Sequence, residues 1–172
     1  MNQLKIIILS LMLTACSFPQ FSFKSGGSET KEIDAETVQV DYFDNKSAIG
    51  GPFLGASFTE SLRDIMQAQT KLNLVAKNGD LQISGIIKNY LISPVNIQGG
   101  SESAAQNRLK MSVSVDTYYK KNDSIGLNKN LFSAFVDYNA SSDFTTVEEE
   151  LVENLNYQIT QDIFDKIFGG EW

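Results

Sequence analysis

Polar and apolar positions alternate over residues 37–43, where Val38 and Val40 stand between Thr37, Gln39 and Asp41. That period of two, with its β-branched content, predicts a first strand. A turn segment with Asn45-Lys46-Ser47 and Gly50-Gly51-Pro52 follows. Leu54, Phe58, Leu62, Ile65 and Met66 then recur at helical spacing and predict a helix over residues 53–70. Residues 72–75 read as a short strand, and Lys77-Asn78-Gly79-Asp80 as a hairpin turn into the next. That strand covers residues 81–92, with Leu81, Ile83, Ile87 and Leu91 on one face. A loop carrying Pro94 and Gly99-Gly100 fills residues 93–103. The cleanest alternation lies next, Leu109, Met111, Val113 and Val115 against Lys110, Ser112, Ser114 and Asp116. After a turn over residues 120–129, a strand at 131–138 is apolar on both faces, at Phe132, Phe135 and Val136. Val147, Leu151, Leu155, Ile159 and Ile163 mark one stripe of a helix over residues 144–168. Thr145 with Glu148 forms a capping-box pair at its start, and Gly169-Gly170 stops it.

The order is β-α-β-β-β-β-α. Each helix has one apolar stripe and the long strands have one apolar face. The economical burial is an α+β two-layer sandwich, two helices packed on one face of a mixed four- to five-stranded sheet, with the other face wetter.

The first residues lie outside this pattern. Lys5 precedes an apolar run over residues 6–13, too short for a membrane-spanning helix, which takes about 20 residues. Its length and flanks suit a secretory signal over residues 1–15. The run ends in Leu13-Thr14-Ala15-Cys16, and Cys16 is the one cysteine of the chain. This segment resembles a bacterial lipobox, in which the thiol of Cys16 accepts a diacylglyceryl group and cleavage before it frees an amine for a further acyl chain. Several acyl chains give stable anchoring. Residues 16–35 read as the lipidated tether, with Phe18, Phe21 and Phe23 among polar residues, and residues 36–172 as the folded domain. Ser17 after the cysteine, in place of Asp, points to the outer membrane, with the domain on the periplasmic side.

Composition removes whole classes of chemistry. The chain has no histidine, which excludes histidine-based triads, histidine-ligated metal and imidazole proton relays. One cysteine excludes an intramolecular disulfide and a thiolate cluster. With 14 basic against 21 acidic residues the net charge is −7, unsuited to general nucleic-acid binding. Glu148-Glu149-Glu150 reads as a solvated helix start and not as a catalytic pair, which needs one carboxylate in an apolar pocket. No phosphate-binding glycine fingerprint or calcium-loop spacing is present. The expectation is a non-enzymatic protein with no metal and no cofactor beyond the lipid on Cys16.

The two arginines are Arg63, in the first helix, and Arg108, at the opening of the cleanest strand. Lys110 and Lys88 fall on polar registers of the two long strands, so strand pairing would bring Arg108, Lys110 and Lys88 near one another on the wetter face. Ordinary solvated charge is the plainer account of the same three residues.

Several segments, in order, resemble the LptE family of lipopolysaccharide-assembly lipoproteins: Val38-Gln39-Val40-Asp41-Tyr42-Phe43, Phe58-Thr59-Glu60-Ser61-Leu62-Arg63-Asp64, Leu72-Asn73-Leu74-Val75, Asn78-Gly79-Asp80-Leu81, Ala104-Ala105-Gln106-Asn107-Arg108-Leu109 and Asp162-Ile163-Phe164-Asp165-Lys166. The resemblance spans residues 37–172. It implies two helices on a sheet and a lipoprotein that sits as a plug in the LptD β-barrel of the outer membrane, assists its assembly and helps deliver lipopolysaccharide. Under it, Arg108, Lys110 and Lys88 become candidates for contact with lipopolysaccharide phosphate or an acidic group of the barrel lumen. Two further readings stand beside it: an accessory of another outer-membrane machine, such as a secretin pilotin or barrel-assembly factor, and a lipid-binding carrier.

Overall fold

The computed structural model describes residues 33–95 and 105–169. The signal segment, Cys16, the three tether phenylalanines and most of the 93–103 loop lie outside the described residues. The elements in chain order are β1 (Thr37–Val40), β2 (Asp44–Asn45), α1 (Gly51–Gln69), β3 (Asn73–Leu74), β4 (Leu81–Val95), β5 (Gln106–Tyr119), β6 (Ser124–Ile125), β7 (Asn130–Asn139) and α2 (Phe144–Phe168). The strands form one mixed sheet in the order β3-β1-β4-β5, with β6 and β7 sharing the far edge of β5 and β2 continuing the pairing of β1 along β4. β1, β2 and β3 run parallel to their neighbours; β4, β5 and β7 are antiparallel. Both helices lie on one face, as the two apolar stripes require.

The core fills the space between them. Leu54, Phe58, Leu62 and Met66 of α1 and Leu155, Ile159 and Ile163 of α2 are buried against Leu81, Ile83 and Ile87 of β4 and Leu109, Met111, Val113 and Val115 of β5. Phe43 is the pivot under α1. It is fully buried, its ring centroid lies 5.1 Å from that of Phe58, and its N–H donates to Thr59 Oγ1 at 3.0 Å. A Cβ at Gly85 would strike the Phe43 ring, and one at Gly55 would strike the Phe43 carbonyl. Two glycines thus let helix, aromatic ring and sheet approach one another.

Five local expectations are corrected. The strand predicted over residues 37–43 ends at Val40, because Phe43 turns inward out of alternation to fill the hole above Gly85. Asn78-Gly79 is not a hairpin turn: β3 and β4 flank β1 on opposite sides, and the connection crosses over β1. Asn78 there takes the left-handed conformation, φ 61°. Asp80 fastens this crossing, its Oδ2 accepting from the N–H groups of Glu36 and Thr37 and from Thr37 Oγ1 at 2.9–3.1 Å. Leu91 does not join Leu81, Ile83 and Ile87. The β4–β5 register shifts between Ile87 and Asn89, and the extra residue, Lys88, inverts the parity, so Tyr90 points to the helices and Leu91 away. The cap of α2 is Asp143, which accepts from the Thr145 N–H at 3.0 Å and from Thr145 Oγ1, instead of the Thr145–Glu148 box. Nor is Glu148 a freely solvated helix-start acid, since it accepts from the Tyr90 hydroxyl at 3.0 Å.

The carboxyls of Asp80, Asp137 and Asp143 are all held below the ordinary aspartate value. The first cause is the Glu36 N–H for Asp80, the Arg108 guanidinium for Asp137 and the Thr145 hydroxyl for Asp143. A carboxyl depressed in the folded state contributes stability that is present above its unfolded value, about 3.9, and lost as pH falls through the folded value. The domain is therefore expected to lose stability progressively below about pH 4. In Asp80→Asn the unfolding free energy should fall less steeply between pH 4 and 2 than in the wild type, as chemical denaturation across that range will read. An unchanged acid slope would remove Asp80 from this account.

Candidate functional site

The face of the sheet away from the helices is built by alternate residues of the three long strands. β5 supplies Arg108, Lys110, Ser112 and Ser114; the register sets Ser93, Leu91, Asn89 and Ile86 of β4 on one side of them and Asp137, Phe135, Ser133 and Leu131 of β7 on the other. Arg108 stands opposite Asp137 and binds it with two parallel hydrogen bonds, Nε to Oδ1 at 2.7 Å and Nη2 to Oδ2 at 2.8 Å. The guanidinium carbon also lies 3.7 Å from the Phe135 ring centroid. The fork geometry suits a carboxylate and the flat cation suits the ring face. Asp137 in turn raises the pKa of Arg108.

Lys110, opposite Phe135 and Leu91, is exposed and forms no ion pair with a described residue. Lys88 is the exposed bulge residue, without a register partner, three residues or about 10 Å along β4 from Leu91. The structure thus places Arg108 and Lys110 side by side and Lys88 farther along the same region. Leu91, Leu131 and Phe135 are exposed on this face, so it is more apolar than the wetter surface expected. The alternation gave the face of Arg108 and Lys110. It did not give Asp137 and Phe135 as partners of Arg108, because which strand lies beside β5, and in what register, is set by pairing. The apolar Phe135 opposite a lysine was the available signal.

The other side of the molecule differs in charge. α1 and α2 together hold eight acidic side chains against two basic ones, Arg63 and Lys166. A groove of about 330 Å³ between the helices includes Asp64, Glu153 and Tyr157 in its lining. Its carboxylates disfavour phosphate. No helix among the described residues is long and apolar enough to cross a membrane.

The fold recurs in solved structures. A minor lipoprotein from Acinetobacter baumannii is 11% identical at a TM-score of 0.51, covering 78% of this chain and 94% of that one. A hypothetical protein from Chlamydia trachomatis is 10% identical at 0.54, with 77% and 95% covered. A putative neuraminyllactose-binding hemagglutinin homologue from Helicobacter pylori is 12% identical at 0.53, with 83% and 87% covered. At these identities the likeness is one of fold. No curated protein sequence matches the chain. The family model described as LptE, lipopolysaccharide-assembly, matches residues 35–168, which run from just before β1 to the last residue of α2. With its two helices on an open mixed sheet and that match over most of its length, the chain belongs to the LptE family of lipopolysaccharide-assembly proteins.

Proposed function

We propose that this chain is anchored in the outer membrane by lipid on Cys16, and that its domain binds and plugs an LptD-like β-barrel from the periplasmic side. There it assists barrel assembly and the transport and insertion of lipopolysaccharide. The family match over residues 35–168 carries the reading. The filled core supports a plug over a lipid carrier, since a carrier needs an internal apolar cavity, whereas Phe43, Leu62, Leu109 and Ile159 close the space between helices and sheet. Lipopolysaccharide assembly is a task of binding and insertion, and the reading assigns no catalytic residue. Affinity purification from native membranes should bring down a large β-barrel, and depletion should lower correctly assembled barrel and surface lipopolysaccharide together. If neither changes and a secretin co-purifies instead, the pilotin reading replaces this one. Mass spectrometry of the same material should find an acylated Cys16 as the first residue; an intact Met1 would overturn the anchor.

Within this reading the open sheet face meets the anionic partner. The helix face repels phosphate, while Arg108 and Lys110 stand between exposed apolar side chains, with Lys88 beyond. Arg108 uses Nε and Nη2 on Asp137 and keeps Nη1–H donors for a phosphate or lumen carboxylate. Lys110 offers a whole ammonium. Arg108→Ala with Lys110→Ala should leave the melting temperature within a few degrees of the wild type. It should also weaken lipopolysaccharide or barrel binding about tenfold at low salt, with less difference at high salt. Arg108→Lys should restore little, because a point charge lacks the fork. Wild-type binding in the double variant at both salt concentrations would remove these residues from the site.

A further inference from the structure

The starts of β1, β3 and β4 and the end of β5 lie together at one end of the sheet, with Thr37 beside Asn73, Val38 beside Leu81 and Leu81 beside Tyr119. α1 ends here, and Gln69 Nε2 donates to Gln161 Oε1 at 3.1 Å, which brings the last turn of α2, with Lys166, to the same end. The residues before β1 are fastened to the turn after β5. Lys121 Nζ lies 2.8 Å from Asp34 Oδ1 and 3.8 Å from Glu36 Oε1, and the Lys120 N–H donates to the Asp80 carbonyl at 2.8 Å. Residues 33–36, 71–80, 119–125 and 165–169 at this end hold five lysines against five carboxylates, whereas the other described residues hold six basic against twelve acidic side chains. The excess negative charge of the described residues thus lies away from the end at which the N-terminal segment arrives. Lys71, Lys77 and Lys120 are exposed there and form no ion pair with a described residue. Ile125 of β6 stands opposite Tyr118, next to the same turn, and at 68% it is the most exposed large apolar side chain among the described residues. An exposed apolar group among lysines suits a bilayer surface: it enters the headgroup layer while the ammoniums meet phosphate.

We propose that this end of the domain docks on an anionic phospholipid surface, the leaflet that holds the anchor, with Ile125 in the headgroup layer and Lys71, Lys77 and Lys120 on phosphates. The inference rests on the lipid on Cys16 in the reading above, and not on the barrel. Sixteen residues separate Cys16 from Ile33, a span of at most about 58 Å. The tether makes docking an intramolecular event, so a contact too weak to hold a free protein suffices. The acidic helix surface, repelled by the same leaflet, favours the same orientation. Arg108 stands eleven residues before Tyr119 in β5, about 36 Å along the strand, so docking here leaves Arg108 and Lys110 at the far end of the sheet, free for their own partner.

The test uses the full chain purified from native membranes and placed in vesicles of phosphatidylcholine alone or of equal parts phosphatidylcholine and phosphatidylglycerol. Asn122→Cys in the turn, or Asn154→Cys on the exposed side of α2, carries a fluorophore, and a quencher on the lipid headgroups reads its distance from the bilayer. In vesicles with phosphatidylglycerol, quenching at residue 122 should exceed that at residue 154 by at least about threefold. The contrast should fall toward one in phosphatidylcholine, with Ile125→Ser, or with Lys77→Gln plus Lys120→Gln. The melting temperature should stay unchanged in these variants, because all three side chains are exposed. Equal quenching at both positions, or a contrast that survives both variants, overturns the proposal. So does a contrast that arises only when lipopolysaccharide replaces phosphatidylglycerol, or a photocrosslinker at residue 122 that captures protein and not lipid in native membranes. Fluorophore taken up by the wild type at Cys16 removes the lipid anchor; a contrast found without the anchor keeps the docking surface, and its loss removes both. A contrast without a co-purifying barrel leaves this inference standing and removes the barrel reading alone.

Discussion

Phe43→Ala is expected to lower the unfolding free energy by about 3–5 kcal/mol, the range for emptying a buried aromatic site. The ring is fully buried between Gly85 on the sheet and Phe58 on α1, and neither glycine beside it has a side chain that can move into the void. The loss should therefore sit near the upper end, and the melting midpoint should fall by about 10 °C or more. Urea unfolding followed by circular dichroism measures it. The companion variant, Gly85→Ala, adds one methyl where the Ser114 carbonyl oxygen of β5 and the Phe43 ring already stand. Overpacking of this kind typically costs about 1–3 kcal/mol. Combining Phe43→Ala with Gly85→Ala should destabilise by somewhat less than the sum of the two, since the smaller side chain at residue 43 relieves the ring contact while the contact with the Ser114 carbonyl stays. Additive losses would mean that the Ser114 carbonyl, and not the Phe43 ring, sets the cost of the added methyl.

Leu155→Ala and Ile159→Ala are each expected to cost about 2–5 kcal/mol. Both side chains lie at the centre of α2, one turn apart, and both are fully buried. Tyr157 sits between them in sequence but is 67% exposed, so Tyr157→Ala should leave stability within about 0.5 kcal/mol. The contrast separates burial from helix propensity, because all three substitutions introduce the same good helix former. A midpoint that barely moves for Leu155→Ala and Ile159→Ala would mean that the stripe does not pack on the sheet.

Periodicity by itself determined the two helices, their buried stripes and the two-layer arrangement. α2 occupies residues 144–168 and α1 begins two residues before the predicted start, at Gly51, with Pro52 in its first turn. These features are legible because spacing along one element decides which residues share a face, and burial of that face follows. The segment resemblance likewise pointed to the family that the match over residues 35–168 establishes. Tertiary structure decided whatever depends on a neighbour distant in sequence. Asn78-Gly79 has a hairpin's composition, but β1 lies between β3 and β4 and makes the segment a crossing. Leu91 kept the sequence period and lost the face, because one bulged residue, Lys88, shifts the parity of every later position in β4. Phe43 broke the alternation and became the centre of the packing beneath α1. Arg108 is the sharpest case: its type and register placed it on the open face, whereas its bidentate partner, Asp137, and the ring beneath it, Phe135, belong to a strand more than twenty residues on. A hydrogen bond or a stacked ring is fixed by where that strand lies to within about an ångström, and no local pattern of polar and apolar residues encodes that position.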